Sequence, residues 1–511
     1  MISSKVESIT FNSVGHTNSD DWFLELLSDL QNDQSLNLRI LSLTGPFFDP
    51  FRVYPAHRIT FDNNQDISRE DPWPWISTVP HTLTELTLHQ ISFDMKELLS
   101  AKPLNLKKFV LKRSLFHFDQ GKLDFSGFGL LTHLHLSSIP IGDDIVNVLF
   151  PDALTVLELR GLEIKSLAGV SFPQSLIELD ISYNKIEFID NVRFPASIRD
   201  LNITANNIQS LDGVNLPPML TRLGASGNQQ GDVSGEDLPL TLKELQISKV
   251  RRCDLSKNSS GSPLQIEKLC LAGRPGDESF LLPGSIKSLD LRNLGGSFCH
   301  KFDSNLTRLA ITCADLTVGN ITFEADSQLQ YLCLKRCKIG RINYPPLLTE
   351  LNLYYNHLAE IPSEVGHIKH LRILQLGYNK LHSAKITFSH NSLEVLDLSH
   401  NQIKEVQLSF PPGLTNLKKL NLSVNRLTEI SMAALGQKDG TMHDSLYELL
   451  LLENCELQWE HIVNLAPRFS ESAKYLSVSS PFSKSFMEAY NYLTDYRQRR
   501  QRRKRAAPLD W

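Results

Sequence analysis

The sequence contains none of the short motifs by which many enzymes are recognised. It has no P-loop, no GxSxG nucleophile elbow, no HExxH zinc motif and no paired CxxC. It also has no run of the roughly 18 apolar residues that a membrane-spanning helix needs. The N-terminal stretch MISSKVESITF lacks the basic and apolar regions of a secretory signal. We therefore expect no catalytic activity, no membrane segment and a cytoplasmic or nuclear location.

Cysteine is scarce and odd in number, with seven residues, six of them between Cys253 and Cys337. In a chain without a secretory signal this favours reduced, buried thiols over disulfides. Cys333 and Cys337, with the Cys299-His300 pair, could suggest zinc. However, Cys333 falls at a strand position of the repeat described below, so we predict no metal site and no cofactor.

Positive charge is concentrated at the C-terminus. The net charge is −5, but the run RQRRQRRKR at 497–505 carries seven positive charges, so the remainder carries −12. An acidic body argues against nucleic acid as the main ligand. The tail, 497–511, is predicted to be disordered. It could be a nuclear-import signal, a contact for an anionic surface or a solubilising end. Its candidate localisation residues are Arg499, Arg500, Arg502, Arg503, Lys504 and Arg505.

A repeat of about 22 residues runs through the chain. Pro173 is followed by Leu176, Leu179, Ile181 and Asn184, and the same offsets recur from Pro195 to Asn206. The frame L-x-x-L-x-L-x-x-N recurs in 21 copies with a mean spacing of about 23 residues. The copies begin at Val6, Leu38, Ala56, Leu83, Leu106, Leu131, Leu154, Leu176, Ile198, Leu220, Leu242, Ile266, Ile286, Leu306, Leu329, Leu348, Leu371, Leu393, Leu417, Leu446 and Ala473.

This frame resembles that of leucine-rich-repeat proteins over more than nine tenths of the chain. The resemblance implies an α/β solenoid, a leucine-rich-repeat horseshoe of about 20 repeats with a concave parallel β-sheet. The convex side is expected to be mostly irregular, with short helices at the ends. The predicted domain covers 1–480, with irregular repeats in 1–80 and regular ones in 81–455, followed by a capping helix at 481–496.

An asparagine closes many copies of the frame. A buried amide without partners would cost about 1–3 kcal/mol. The resemblance implies that these side chains bond backbone groups of their own and neighbouring coils, forming a ladder, and that Cys337 fills one such position. The predicted ladder residues are Asn184, Asn206, Asn228, Asn356, Asn379, Asn401, Asn425 and Asn454.

The residues that flank the apolar positions of each strand are expected to face the concave surface. Adjacent strands lie about 4.8 Å apart, so equivalent positions form rows across the sheet. Between the copies at Leu329 and Leu393 the rows are rich in tyrosine and cations, which is typical of binding hot spots, although tyrosine also suits strands. The candidate partner-binding residues are Tyr331, Lys335, Arg336, Glu350, Tyr354, Tyr355, Gln375, Tyr378, Asp397 and His400.

A second set of rows is charged. Four cations share the copy at Leu106, and carboxylates line the following copies. Two interpretations stay open: ordinary solvated charge, or electrostatic selection of a partner. The cations are Lys107, Lys108, Lys112 and Arg113, and the carboxylates are Glu158, Glu178, Asp180 and Asp200.

Copies such as LDLSHNQIKEV resemble those of intracellular leucine-rich proteins that regulate phosphatases. This favours a non-catalytic scaffold that binds a protein on its concave surface. The proline-opened copies also resemble yeast F-box-type proteins, which act as substrate-recognition subunits of ubiquitin ligases. No F-box is seen, because a repeat begins at Val6. A bacterial-effector-type ligase would need a cysteine in a separate C-terminal domain, whereas Cys455 lies within a repeat.

Overall fold

The computed structural model divides the protein into two compact units. Unit 1 comprises Met1–Ile266 and Leu281–Pro283, and unit 2 comprises Glu267–Phe280 and Gly284–Trp511. The residues that the structure describes are 8–12, 40–44, 58–62, 83–89, 92–94, 105–113, 115–117, 123–139, 141–229, 231–273, 280–294, 300–317, 321–340, 342–411, 416–430, 446–457 and 475–477.

In unit 1 a ladder of parallel strands follows the order of the chain. Each strand pairs with the next one in the list, residue against equivalent residue. The strands are β1 (Ser8–Asn12), β2 (Ile40–Thr44), β3 (Arg58–Asp62), β4 (Glu85–His89), β5 (Lys108–Lys112), β6 (His133–Ser137), β7 (Val156–Arg160), β8 (Glu178–Asp180), β9 (Asp200–Asn202), β10 (Arg222–Gly224) and β11 (Glu244–Val250).

Unit 2 contains a second ladder of the same kind, also parallel and in chain order. Its strands are β12 (Lys268–Gly273), β13 (Ser288–Arg292), β14 (Arg308–Thr312), β15 (Tyr331–Lys335), β16 (Glu350–Asn352), β17 (Ile373–Gln375), β18 (Val395–Asp397), β19 (Lys419–Asn421), β20 (Glu448–Leu450) and β21 (Tyr475–Ser477).

Every repeat copy found in the sequence supplies one ladder strand, which begins two residues after the first apolar position. Along a strand such as β7, half-buried and buried residues alternate, so that Leu157 and Leu159 enter the core while Glu158 stays at the surface. The leucines of one coil are covered by those of the coils beside it, as in other solenoids. The predicted parallel repeat fold is confirmed.

Where the structure describes them, the segments that connect the ladder strands hold short elements. The described residues contain two 3₁₀ helices, Gly142–Asn147 and Ser363–His367, and no α-helix. Short strands are found at Ser92–Asp94, Leu115–His117, Asp232–Ser234, Arg252–Asp254, Phe280–Leu281, His300–Phe302, Asp315–Leu316, Ile321–Phe323, Lys338–Ile339, Ser383–Thr387 and Glu405–Ser409. The predicted capping helix at 481–496 and the basic tail at 497–511 lie outside the described residues.

Prolines open a turn before several strands. The carbonyl of Pro173 accepts a hydrogen bond from the Leu176 amide at 3.2 Å, and Pro195 accepts one from Ile198 at 3.3 Å. Proline fixes φ and lacks an amide donor, so it is tolerated immediately before a strand. The proline therefore marks the point at which each of these coils turns into the sheet.

The asparagines of the repeat are buried and bond to the backbone of two coils. The Nδ2 group of Asn206 donates to the carbonyls of Ile181 and Ile203, each at 3.0 Å. Its Oδ1 accepts from the Ile186 amide at 3.1 Å. The same pattern recurs at the other positions, so each amide links its own coil to the preceding one. The buried asparagines are Asn184, Asn206, Asn228, Asn356, Asn379, Asn401, Asn425 and Asn454.

Cys337 occupies the asparagine position in its coil. Its thiol donates to the carbonyl of Lys335 at 3.4 Å and to that of Ile311 at 3.5 Å. Its own amide donates to Oδ1 of Asn356 at 2.6 Å. Burial raises the pKa of the thiol to about 11. Cys337 therefore continues the chain of bonds between coils as a neutral thiol.

Charged side chains also connect coils of unit 2. Glu394 accepts a hydrogen bond from Nε of Arg372 at 2.6 Å and another from Nζ of Lys418 at 2.7 Å. These three residues stand at equivalent positions of three successive coils. The two hydrogen bonds hold the pKa of Glu394 at about 2, against an ordinary value of 4.5.

Replacing Asn206 by alanine should lower the free energy of unfolding by about 1–3 kcal/mol, because the Ile186 amide and two carbonyls lose their buried partner. The measurement is urea denaturation followed by circular dichroism. Asn207→Ala is the matched control, since this neighbouring side chain is exposed. Equal losses in the two variants would contradict the role of the buried amide.

Replacing Glu394 by glutamine should flatten the dependence of stability on pH. Because the folded pKa of Glu394 lies below its unfolded value, its contribution is present above pH 4.5 and is lost as the pH falls towards 2. The ion pairs are partly exposed, so the difference between variant and parent at pH 7 should be about 1 kcal/mol or less. Melting temperatures measured from pH 7 to pH 2.5 test this. Glu405→Gln, which removes a single exposed pair with Lys385, is the control.

Candidate interaction surface

A cluster of aromatic rings lies on the exposed face of the unit 2 ladder. Rings from the coils of β16, β17 and β18 contact one another, and two cations of the β15 coil lie beside them. We call this cluster the aromatic patch. It consists of Lys335, Arg336, Tyr354, Tyr355, Tyr378 and His400.

Three of the rings form a stacked column. The ring centroids of Tyr355 and Tyr378 are 4.2 Å apart with an interplanar angle of 25°. Those of Tyr378 and His400 are 3.8 Å apart at 16°. Each of these residues immediately precedes the buried asparagine of its coil and has a positive φ of 53–57°. The spacing of the rings is thus close to the strand separation of about 4.8 Å.

Tyr354 completes the cluster from the neighbouring row. Its ring lies 5.2 Å from those of both Tyr355 and Tyr378, and its hydroxyl lies near the Ser399 side chain. The ring rests against Gly377, where an added Cβ would overlap it. Burial raises the pKa of Tyr354. Gly377 is therefore the residue that makes room for this ring.

The two cations border one end of the column. Nζ of Lys335 lies 5.1 Å from the centroid of Tyr355, and Cζ of Arg336 lies 5.5 Å from it. Both distances fall within the range of cation–π attraction, about 6 Å. Arg336 is exposed, and Lys335 and the rings are partly exposed. The patch thus presents aromatic edges, hydroxyl groups and positive charge to solvent.

Four other predicted site residues lie nearby but outside the cluster. Tyr331 stacks instead with Arg308, whose Cζ is 4.0 Å from the ring centroid, and its pKa is raised to about 12, chiefly by burial. Glu350 stands beside Tyr331 in the strand register. Gln375 accepts a hydrogen bond from Asn352 at 2.6 Å. Asp397 accepts one from the Ser399 amide at 2.9 Å.

Sequence reasoning missed Gly377, Arg308 and Ser399. Gly377 and Ser399 occupy the row of Tyr354 in the next two coils, so their small size was the available signal. Arg308 lies directly opposite Tyr331 in the register of β14 and β15. A search for large residues beside small ones in the same row would have found the contact of Tyr354 with Gly377.

Three thiols of the described region, those of Cys253, Cys333 and Cys337, are buried, which disfavours the reactive thiolate form. Within that region no three histidine, cysteine or acidic side chains are grouped so that they could hold a metal ion. Burial raises the pKa of Cys253 to about 12 and also raises that of Cys333. None of the described helices is long and apolar enough to cross a membrane.

Comparison with known proteins finds repeats of the same type. Residues 346–403 match the family model described as "Leucine rich repeat", and residues 391–434 match "Leucine Rich repeats (2 copies)". Fibromodulin from Bos taurus is 33% identical over 119 residues, which are 22% of this chain and 30% of fibromodulin. Leucine-rich repeats and immunoglobulin-like domains protein 1 from Homo sapiens is 37% identical over 111 residues, 21% of this chain and 10% of that protein.

Among solved structures, YopM from Yersinia enterocolitica WA-314 is similar with a TM-score of 0.44 and 19% identity, over 93% of this chain and 92% of that one. In the sequence comparison, the chain spans about a third of the length of fibromodulin. The two family models cover repeats that contribute strands to the unit 2 ladder. The repeat frame, the parallel ladders and the matching repeat models identify the chain as a member of the leucine-rich-repeat superfamily.

Proposed function

We propose that the protein is a non-catalytic scaffold that binds a protein partner through the aromatic patch of unit 2. The observation that carries the proposal is the contact of three tyrosines and a histidine on an exposed sheet face, with two cations at their edge. Tyrosine and arginine are the residues most enriched at binding hot spots, together with tryptophan.

The patch is suited to binding because its rings are held in place before a partner arrives. Each ring packs against another ring, and the backbone beneath is fixed by the buried Asn356, Asn379 and Asn401. A rigid aromatic side chain loses little conformational entropy when it is covered. Glu350 and Asp397 beyond the rings could serve as a polar rim.

The chemistry of the thiols supports the non-catalytic part of the proposal. A cysteine nucleophile needs a lowered pKa, whereas burial raises the pKa of Cys253 to about 12 and that of Cys337 to about 11. At neutral pH these groups are neutral thiols, and Cys337 is engaged with backbone carbonyls.

The sequence resemblance suggests two partner classes for the same patch, a phosphatase catalytic subunit or a component of a ubiquitin ligase. Affinity capture from cell lysate with the full chain as bait, followed by mass spectrometry, distinguishes them. Recovery of a phosphatase subunit supports the first class, and recovery of a cullin adaptor supports the second.

Replacing Tyr354, Tyr355 and Tyr378 together by alanine should abolish capture of the main partner. The loss should be at least about 2 kcal/mol, since a single hot-spot residue typically contributes about that much or more. Thermal stability should change little because the rings are partly exposed. Quantitative capture and melting temperature are the two measurements.

Two further variants make this test specific. Gly377→Ala keeps every ring but displaces Tyr354, so it should weaken capture at least about tenfold if the arrangement of the rings matters. Tyr447→Ala removes an exposed tyrosine outside the patch and should have no effect. Full capture by the triple variant would show that the aromatic patch is not the binding site.

We also propose that the basic tail directs the protein to the nucleus, because clustered arginine and lysine residues are typical of import signals. Deleting residues 497–505 should move a nuclear pool of the fluorescently tagged protein into the cytoplasm. An unchanged distribution would dismiss the tail as an import signal. The deletion should leave partner capture intact, since the aromatic patch lies elsewhere in the sequence.

A further inference from the structure

A cationic groove lies on the exposed face of the unit 1 ladder, where β4 to β7 end. Its volume is about 550 Å³. Three permanently charged side chains line it, Lys112, Arg113 and Arg160, together with His89 and His135. Among the described residues that line it, none is a carboxylate. We call it the cationic groove; it is independent of the aromatic patch, which belongs to unit 2.

The groove is formed where two small residues lie between two large ones at equivalent positions of successive coils. The residues with positive φ that follow the ends of β5 to β8 are Arg113, Ser138, Gly161 and Tyr183. The two small residues form a floor between an exposed guanidinium and a tyrosine that is 62% exposed. An added Cβ on Gly161 would be in ordinary contact with Ser138 at 3.7 Å, so the floor has room for a larger side chain.

The adjacent row supplies the walls. His89, Lys112, Ser137 and Arg160 stand opposite one another in the register of β4 to β7. Four strands at a spacing of about 4.8 Å span about 14 Å, which matches about four residues of an extended peptide. The Ser137 hydroxyl is 3.0 Å from Nε2 of His135, and the Arg160 guanidinium lies 5.9 Å from the ring centroid of Tyr183.

The positive surface ends abruptly at β7 and β8. Glu158 accepts a hydrogen bond from Nδ1 of His135 at 2.8 Å and lies 3.8 Å from Arg160. Asp180 lies 3.6 Å from the same guanidinium and also accepts a hydrogen bond from Asn202 at 2.9 Å. Beyond them a second groove is lined by acidic residues, among them Glu178 and Asp200, together with Arg160 and Arg222. The sign of the surface therefore reverses within two strands.

We infer that the cationic groove is a second docking surface, which binds an acidic segment of a partner protein. The segment would carry about four consecutive aspartate or glutamate residues in extended form, placed across β4 to β7. Its carboxylates would meet Arg113, Arg160 and Lys112, and the Ser138 hydroxyl of the floor would donate a hydrogen bond to one of them. Neutral or basic residues would follow, over the carboxylates of β7 to β9.

The reversal of charge favours a peptide over a nucleic acid. A nucleic acid carries a phosphate on every nucleotide, so a strand that continued past Arg160 would meet Glu158, Asp180 and Asp200. A peptide can change its charge from one residue to the next. Burial raises the pKa of Asp200, Arg222 opposes this shift, and the neighbouring carboxylates of Glu178 and Asp180 add to it.

The test is fluorescence anisotropy with the full chain and labelled synthetic peptides. The first peptide carries four glutamates, two glycines and two arginines in that order; the second has the same composition in alternating order; the third has glutamines in place of the glutamates. The first should bind most tightly, and binding should weaken at least about tenfold between 50 and 500 mM salt. A single-stranded RNA of twelve nucleotides is the competing probe.

Two groove variants and one control complete the experiment. Lys112→Gln with Arg113→Asn removes two charges, and asparagine tolerates the positive φ of Arg113. Gly161→Asn fills the floor without a change of charge. Each should weaken binding of the first peptide at least about tenfold. Lys165→Gln with Lys185→Gln removes two exposed charges that do not line the groove, and should leave binding unchanged.

Circular dichroism and melting temperature establish that each variant is folded. The proposal is supported if both folded groove variants lose the first peptide while the control retains it. It is overturned if the first peptide fails to bind, if it binds no better than the second or third, or if the groove variants retain it. Tighter binding of the RNA with the same dependence on the groove would also overturn it. The triple tyrosine variant should bind the peptide normally.

Discussion

The fold depends on the way each coil satisfies its buried groups through its neighbours. A single coil exposes its leucines, and its turns leave amides and carbonyls without partners. Stacking covers the leucines, and the buried asparagines connect the turns. Asn206 donates hydrogen bonds to the carbonyls of Ile181 in the preceding coil and Ile203 in its own, and it accepts one from the Ile186 amide. Both effects act between nearest neighbours, so stability accumulates along the chain rather than residing in one central core.

The same constraint shapes the exposed face. Because neighbouring coils are held in register, residues about 22 positions apart become adjacent, and a row can collect one kind of chemistry. In unit 2 the row before the asparagines collects Tyr355, Tyr378 and His400 into a stack. In unit 1 the equivalent row contains Ser138 and Gly161, which leaves a groove. The two surfaces therefore differ by the size of the side chains at one position of the repeat.

Much of this was predictable from sequence. The leucine frame correctly predicted a strand in each copy, including the irregular copies at Val6, Leu38 and Ala56. Apolar residues that alternate with polar ones indicate a half-buried strand, and here this alternation recurs at a fixed spacing. The aromatic patch was only partly predictable. Tyr331 stands in a different row of the repeat from Tyr354, Tyr355 and Tyr378, and it stacks on Arg308 because that side chain lies directly across the ladder.

The amino-acid sequence by itself determined the repeat, the position of its strands and the buried asparagines that close many of the coils, since these follow from local spacing and from the cost of burying unpaired polar groups. Only the tertiary structure decided which exposed residues meet. Tyr354 rests on Gly377, and Arg160 stands between Glu158 and Asp180. These contacts depend on the rotamers and sizes of side chains in different coils, which the period of the repeat does not specify.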